Sequence, residues 1–455
     1  MSAQAIAATA EGTESGGISA GLFRSTLLVV AIQVLGTALR YASQVLFARW
    51  IGRNDYGNYC YAMTLAQILA IVGSLGLPTG VIRFVPEYVA QSDWSRLRGL
   101  VRRGRQLVGA AAIACAVLAS GALMIARPSK LNMPVLLGGV WLTPIMALSG
   151  FESDLSRSLY SLGLSYSLPM IMDPFVSIAL TLVLMRTARY LTAALVIAAR
   201  YGSLAITLAM QTAGSQAALP KQARNPEPVS DTALWLSVSF PLLLAGLYTA
   251  IMSKADVLVL GLYRTTEEVG IYSAAAATAA LGSLVLSAAN ARGAPLMSAM
   301  FASGDRRGLE RVVHTVTFWC LWPAVAVALT MWAGGEQILA LFGPGFSTGY
   351  RALAILAAGH VINCGAGPVA MLAIVTGHQA ATARALGWSA LGNIALCLIL
   401  VPPFGLLGAA LASAATLAMV NLRLYRVATR NLGIRPLDGL RSAIFSTRRL
   451  SRREI

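Results

Sequence analysis

Charge in this chain is confined to short intervals, and between them run stretches of about 20 apolar residues, the length that crosses a bilayer as a helix. Inside a membrane each stretch must satisfy its own backbone hydrogen bonds, which restricts it to a helix or a closed barrel. Of 455 residues, 57% are hydrophobic and 12% charged, where a soluble domain has about 45–50% and about 25%. An all-α polytopic membrane protein is the expected fold class. Breaks at charge and at Gly/Pro clusters divide the chain into twelve spans, near 25–48, 58–82, 106–126, 135–156, 166–186, 190–213, 233–258, 269–290, 311–333, 350–375, 382–401 and 404–425. A tight turn is expected at Pro402-Pro403, between the last two.

The net charge of +17 suits nucleic acid in principle, but the positive residues sit in alternate loops, which is the signature of membrane topology. Arg96, Arg98, Arg102, Arg103 and Arg105 fall in one loop, Arg306, Arg307 and Arg311 in another, and nine arginines from Arg423 to the C-terminal end. The intervening loops carry few. Both termini are therefore expected on the cytoplasmic side, with no nucleic-acid partner. No signal peptide is evident in residues 1–20, which lack a basic leading segment. Five cysteines lie within apolar stretches and three histidines are scattered, so neither a disulfide framework, a metal site nor another cofactor is expected.

Asp55-Tyr56-Gly57-Asn58-Tyr59 returns 213 positions later as Glu268-Val269-Gly270-Ile271-Tyr272. At that offset Ala42 falls on Ala255, Trp50 on Tyr263, Ala62 on Ala275, Ala66 on Ala279 and Ser74 on Ser287. A polar, proline-rich stretch separates the two copies. The division is a cytoplasmic tail at 1–21, an N-lobe at 22–214, a linker at 215–231, a C-lobe at 232–427 and a basic cytoplasmic tail at 428–455. Six helices per half is an even number, so the halves keep one orientation. They should be related by a pseudo-twofold along the membrane normal, with substrate between them.

Ionisable side chains within spans are costly, by ~2.5–3.5 kcal/mol each on insertion scales, and mark functional sites. Arg40, Arg200 and Lys254 are candidates for a central cationic cavity. The overlay places Ser253 on Arg40 and Lys254 on Tyr41, so each lobe puts a cation at similar depth. Arg200 is expected near the midplane, where it meets either substrate or Asp173, which with Pro174 interrupts the fifth span. Arg24, Arg83 and Arg292 lie near cytoplasmic helix ends and either rim the mouth or anchor lipid headgroups. Asp256 and Asp173 are candidates for ion coupling. Glu152 reads as a helix end or a salt bridge within its lobe. Tyr59, Tyr61, Trp141, Tyr190, Tyr263 and Tyr272, at span ends, read as an interfacial belt.

Several segments resemble the polysaccharide transporter family, the Wzx-type flippases of lipid-linked oligosaccharides in the multidrug/oligosaccharidyl-lipid/polysaccharide exporter superfamily. They are Ala48-Arg49-Trp50-Ile51-Gly52-Arg53-Asn54-Asp55-Tyr56-Gly57, Ser74-Leu75-Gly76-Leu77-Pro78 with Arg83, and Asp256-Val257-Leu258-Val259-Leu260-Gly261 with Glu268-Val269-Gly270-Ile271-Tyr272. Leu341-Phe342-Gly343-Pro344-Gly345-Phe346 and Phe404-Gly405-Leu406-Leu407-Gly408-Ala409-Ala410 complete the set. They occur in order along nearly the whole chain. The resemblance implies alternating access in a bacterial inner membrane and export of an undecaprenyl-pyrophosphate-linked glycan to the periplasmic leaflet. Its implied partners are that lipid-linked oligosaccharide, membrane lipids, and polysaccharide polymerase and chain-length machinery. No motif assigns substrate-binding residues. A drug/cation antiporter of the same superfamily is the alternative, disfavoured because cations outnumber acids in the spans. A membrane-embedded polymerase or glycosyltransferase is disfavoured by short periplasmic loops without a carboxylate pair.

Overall fold

The computed structural model describes residues 15–434 apart from 128, 160–165, 189 and 225, so most of both expected tails lies outside the described residues. The described residues are helical, with no strand. Among the described residues, nine helices are long and apolar enough to cross a membrane. They are α3 (Trp94–Ala126), α4 (Met133–Ser158), α5 (Leu168–Thr187), α6 (Ala193–Ala218), α7 (Thr232–Tyr263), α9 (Arg306–Ala340), α10 (Phe346–Val375), α11 (Gln379–Phe404) and α12 (Leu406–Arg430). A tenth is the bent pair formed by the end of the first long helix and the helix that follows it, and a further broken helix lies between α7 and α9. The first long helix, Ser15–Gly73, is split at Gly52 into α1 (15–51) and α2 (from 53). There φ is +77°, a left-handed value that glycine adopts without strain. After a 42° bend, α2 continues as Leu77–Ala90. The further broken helix, α8, joins Thr266–Ala280 to Leu284–Ala302 through a 3₁₀ turn.

Local chemistry sets these limits. Asp93 and Asp305 cap corresponding helices, α3 and α9, by accepting from the nitrogens of Arg96 (3.0 Å) and Gly308 (2.8 Å). The turn between α11 and α12 falls on Gly405 (φ +56°) and not on Pro402-Pro403, because prolines in a last helical turn do not end it, whereas a left-handed residue does. The break expected at Asp173-Pro174 lies just before it, as a π-turn over Leu168–Met172. The linker starts later than expected, since α6 runs to Ala218. It is docked on α3: Arg98 Nη1 donates to Pro226 O at 2.7 Å and Val229 N to Ser95 O at 3.1 Å.

Three clusters of buried side chains define the shape. The largest joins both halves at one end of the bundle, where Phe47, Tyr56 and Val135 pack with Val269, Tyr272, Phe342, Phe346 and Val401. At the other end the core is split. One part holds Phe84, Tyr88, Leu100, Phe151 and Trp235, the other Met297, Leu309, Val313, Leu372 and Leu424. The halves thus share one sealed end and separate toward the other, leaving a cleft. Helix α7 spans the join: its Trp235 Nε1 donates to Tyr88 Oη at 2.9 Å, and its Ser239 fills the space a Cβ at Gly80 would need.

Candidate functional site

At the floor of the cleft, against the sealed end, lies a cavity of about 660 Å³. α1 contributes Thr37, Arg40, Tyr41, Ser43 and Gln44, α2 Tyr59, Cys60 and Gln67, α5 Asp173 and α6 Arg200. From the second half α7 contributes Ser253, Lys254 and Asp256, and α8 Ser273, Ala276 and Ala280. The five charged residues singled out within spans, Arg40, Asp173, Arg200, Lys254 and Asp256, therefore share one cavity.

Their environments differ. Arg200 grips Asp173 with two parallel bonds, Nη1–Oδ1 and Nη2–Oδ2, each 3.0 Å, and Ser203 Oγ also donates to Asp173 Oδ1. Both ends of this pair are largely buried, at 13% and 12% side-chain exposure. Arg200 lies seven residues from the start of α6, about 10 Å in at 1.5 Å per residue, so it sits toward the sealed end and not at the midplane. Asp256 is held within its own half. It accepts from Tyr272 Oη and, at 2.8 Å, from Ser413 Oγ, and it reaches no basic residue across the cleft. Arg40 and Lys254 make no ion pair among the described residues. Arg40 feels Asp173 and Lys254 feels Asp256 through space, so each is a cation without a direct ion pair that faces the cavity, one from each half.

The repeat explains this placement. At the 213-residue offset Asp256 corresponds to Ser43, Tyr272 to Tyr59 and Ser413 to Arg200. Equivalent positions thus carry a charge in one half and a serine in the other, Asp256 against Ser43 and Arg200 against Ser413. A second asymmetry follows α6. Ser203, Thr207, Gln211 and Ser215 continue one buried face from Arg200 at helical spacing. Gln211 Oε1 accepts from Ser149 at 2.7 Å, and Ser215 Oγ donates to Glu152 Oε2 at 2.5 Å, where Arg105 completes a two-bond pair with Glu152. Glu152 is thus a salt bridge within its lobe. The matching face of α12 turns apolar after Thr416, with Val420, Leu424 and Ala428. The spacing of small polar residues in α6 was the signal for this stripe, and the charge-based reading passed over it.

Over the cavity the sealed end is built on the repeat itself. A Cβ at Gly57 would meet Thr266, with its carbonyl carbon at 2.7 Å, and the Gly270 nitrogen at 2.9 Å. A Cβ at Gly270 would meet the Arg53 carbonyl and the Gly57 nitrogen at 3.1 Å. Only glycine lets α2 and α8 cross this closely. Around the crossing, Arg53 Nε pairs with Glu267 Oε1 at 3.0 Å, and Thr266 Oγ1 bonds Asn54 Oδ1. Residue 53 corresponds to 266 and 54 to 267, so the two contacts exchange under the offset. That reciprocity is the mark of a twofold interface, with its axis at Gly57–Gly270. Asp55 and Asn58 serve the frame: they accept from Ala193 N and Asn132 N, both at 3.0 Å, fixing the starts of α6 and α4. Below the crossing Tyr41 Oη bonds Thr278 Oγ1 at 3.1 Å, and its ring meets Phe342 edge-on at 5.7 Å.

The remaining expectations divide. Tyr59, Tyr61 and Tyr272 are buried in the seal and do not form an interfacial belt, because the lobes close over them; Trp141, Tyr190 and Tyr263 are exposed as a belt requires. Arg83 is exposed one helical turn beyond Thr79 on the open side of the α2 bend, with its guanidinium 5.8 Å from the Phe84 ring centre, and it does not line the cavity. The side chains of Arg24 and Arg292 lie outside the described ones.

Among the described residues, long apolar helices close at one end over a polar cavity, and this fold is shared with solved transporters. It is similar to an inward-facing multidrug resistance MATE family transporter of the MOP superfamily, with 13% identity, a TM-score of 0.70, and 90% of this chain and 98% of that one covered. Lipid II flippase MurJ in an inward closed conformation gives 15%, 0.71, 91% and 89%. A MOP superfamily transporter from Pyrococcus furiosus Vc1 (DSM3638), described as having a binding pocket of reverse polarity, gives 12%, 0.62, 90% and 95%. An outward-facing MATE family transporter of the MOP superfamily gives a TM-score of 0.58, at 12% identity with 90% and 95% covered. No curated protein matches. The family described as "Polysaccharide biosynthesis protein" matches residues 22–301, and the chain belongs to it.

Proposed function

We propose that this protein is a flippase for undecaprenyl-pyrophosphate-linked oligosaccharide repeat units, carrying them from the cytoplasmic to the periplasmic leaflet of a bacterial inner membrane for surface polysaccharide assembly. The observation that carries the reading is that two cations without a direct ion pair, Arg40 and Lys254, face one cavity from opposite halves. A diphosphate is a compact dianion that two such cations can hold from both sides. Neither cation needs to bind tightly, so the cargo can leave. The sealed end is assigned to the periplasm and both termini to the cytoplasm, in agreement with the arginine distribution. The cleft is then inward-open, and the higher similarity to an inward-facing relative than to an outward-facing one supports that assignment. Alternating access follows by opening the Gly57–Gly270 crossing while the cytoplasmic cores close.

Replacing Arg40 and Lys254 singly by Glu tests this in cells. Each variant should insert at normal abundance and leave lipid-linked glycan on the cytoplasmic side, since a like charge now faces the diphosphate. Normal surface glycan in both variants would overturn the reading. Loss of resistance to organic cations with unchanged glycan export would favour a drug/cation antiporter.

A further inference from the structure

Beside the cavity lies a second pocket of about 490 Å³, set between α2, α7 and α11. Its wall is apolar: Ile68, Ile71, Leu242, Ala245, Gly246 and Leu386. Its floor is shared. Gln67, Ser253 and Lys254 line both the pocket and the cavity, so the two spaces adjoin at these residues. The bend in α2 makes the room, because Ile71 and Thr79 line the pocket from either side of the Ser74–Gly76 break. The sequence from one space to the next is polar cavity, cation, apolar pocket. That is the order of groups in an amphiphile whose charged linkage joins a hydrophilic head to a hydrocarbon chain.

We infer that the α2–α7–α11 pocket receives the first isoprenoid units of the polyprenyl diphosphate, with Lys254 on the phosphate next to the chain. The inference rests on the flippase reading and extends it from the headgroup to the lipid. Charge complementarity selects this occupant: a neutral acyl chain has no anion to set beside Lys254, and a free sugar phosphate has nothing to fill an apolar wall. The volume falls within the ~300–1,000 Å³ usual for ligand pockets. A chain seated here keeps hydrocarbon against hydrocarbon while the headgroup is in the cavity, so the whole lipid need not be dragged through polar space.

The test compares inorganic diphosphate with farnesyl diphosphate as probes, bound to the full-length protein in nanodiscs and corrected against empty nanodiscs. Farnesyl diphosphate should bind at least tenfold more tightly than inorganic diphosphate. Gly246→Leu fills the pocket without a backbone clash, because the nearest atom to a Cβ there is Ile71 Cγ2 at 3.8 Å, an ordinary contact. It should abolish most of that difference and leave inorganic diphosphate unchanged. Leu242→Gln should reduce the difference by making the wall polar. Lys254→Ala should weaken both probes. Equal affinity for the two probes, or a chain contribution that survives Gly246→Leu and Leu242→Gln, would overturn the pocket assignment and leave the flippase reading standing. Failure of both probes to bind would overturn both.

Discussion

The glycine crossing makes a quantitative demand on the seal. In Gly57→Ala the new methyl group stands 2.7 Å from the Thr266 carbonyl carbon, where ordinary carbon contacts lie at about 3.5–4.0 Å. The obstacle is backbone, with the Thr266 carbonyl oxygen closer still, so no rotamer relieves it, and α2 and α8 must part by more than about 1 Å. Overpacking of this kind costs about 1–3 kcal/mol, and it falls on the sealed conformation alone. At about 1.4 kcal/mol per factor of ten, the sealed state loses roughly fivefold to a hundredfold in population against the open one. Native Cys60 reports the change, because it lines the cavity one turn inside Gly57. With Cys115, Cys320, Cys364 and Cys397 replaced by alanine, a membrane-impermeant maleimide is added from the periplasmic side. Labelling of Cys60 should be slow in the Gly57 protein and about fivefold or more faster in Gly57→Ala. Gly270→Ala should act in the same direction, as the twofold relation requires. Gly150→Ala is the control, since a Cβ there meets nothing within 4 Å. Unchanged labelling in both seal variants at normal abundance would refute the assignment of this crossing as the periplasmic gate.

Three further outcomes are expected. Arg53→Ala should raise Cys60 labelling less than Gly57→Ala does, because its pair with Glu267 is more than 40% exposed on both sides and solvent screens it. Arg200→Ala should lower abundance in membranes, since breaking a buried pair strands Asp173 at a cost of about 3–5 kcal/mol, and Arg200→Leu with Asp173→Asn should restore it; normal abundance of Arg200→Ala would show that the pair does not hold the lobe. Phosphatase and β-galactosidase fusions after Ser129 and after Glu227 should report periplasm and cytoplasm respectively, and the same side for both would invalidate the topology.

The parts of the molecule visible in its sequence are those that solvation dictates. Long apolar helices follow from apolar length, and the shared cavity from the rule that a charge within a span must face water or a partner. The repeat was legible because Gly57 and Gly270 sit where only glycine fits. The consequence of that fact was not legible: one-dimensional spacing says that two glycines are equivalent but not that they touch. Tyr59 and Tyr272 were misplaced in a lipid belt for the same reason, as a span end buried by the opposite lobe reads like one facing lipid. The split of roles among the cations also needed geometry. Arg200 and Arg40 look alike in the sequence, and only the two 3.0 Å bonds to Asp173 set one aside. The apolar pocket beside Lys254 depends on the α2 bend, whose 42° angle no composition encodes.

Reconstitution addresses the transport claim most directly. Purified protein is placed in liposomes whose inner leaflet carries polyprenyl-diphosphate-linked oligosaccharide prepared from the host, and glycan reaching the outer leaflet is read with an impermeant lectin. The wild-type chain should expose glycan well above protein-free liposomes, and Arg40→Glu with Lys254→Glu should return exposure to that background. Equal exposure by the wild-type and doubly substituted proteins would contradict a cation-lined route for the diphosphate, and no exposure by the wild-type chain under any ion gradient would contradict the flippase itself.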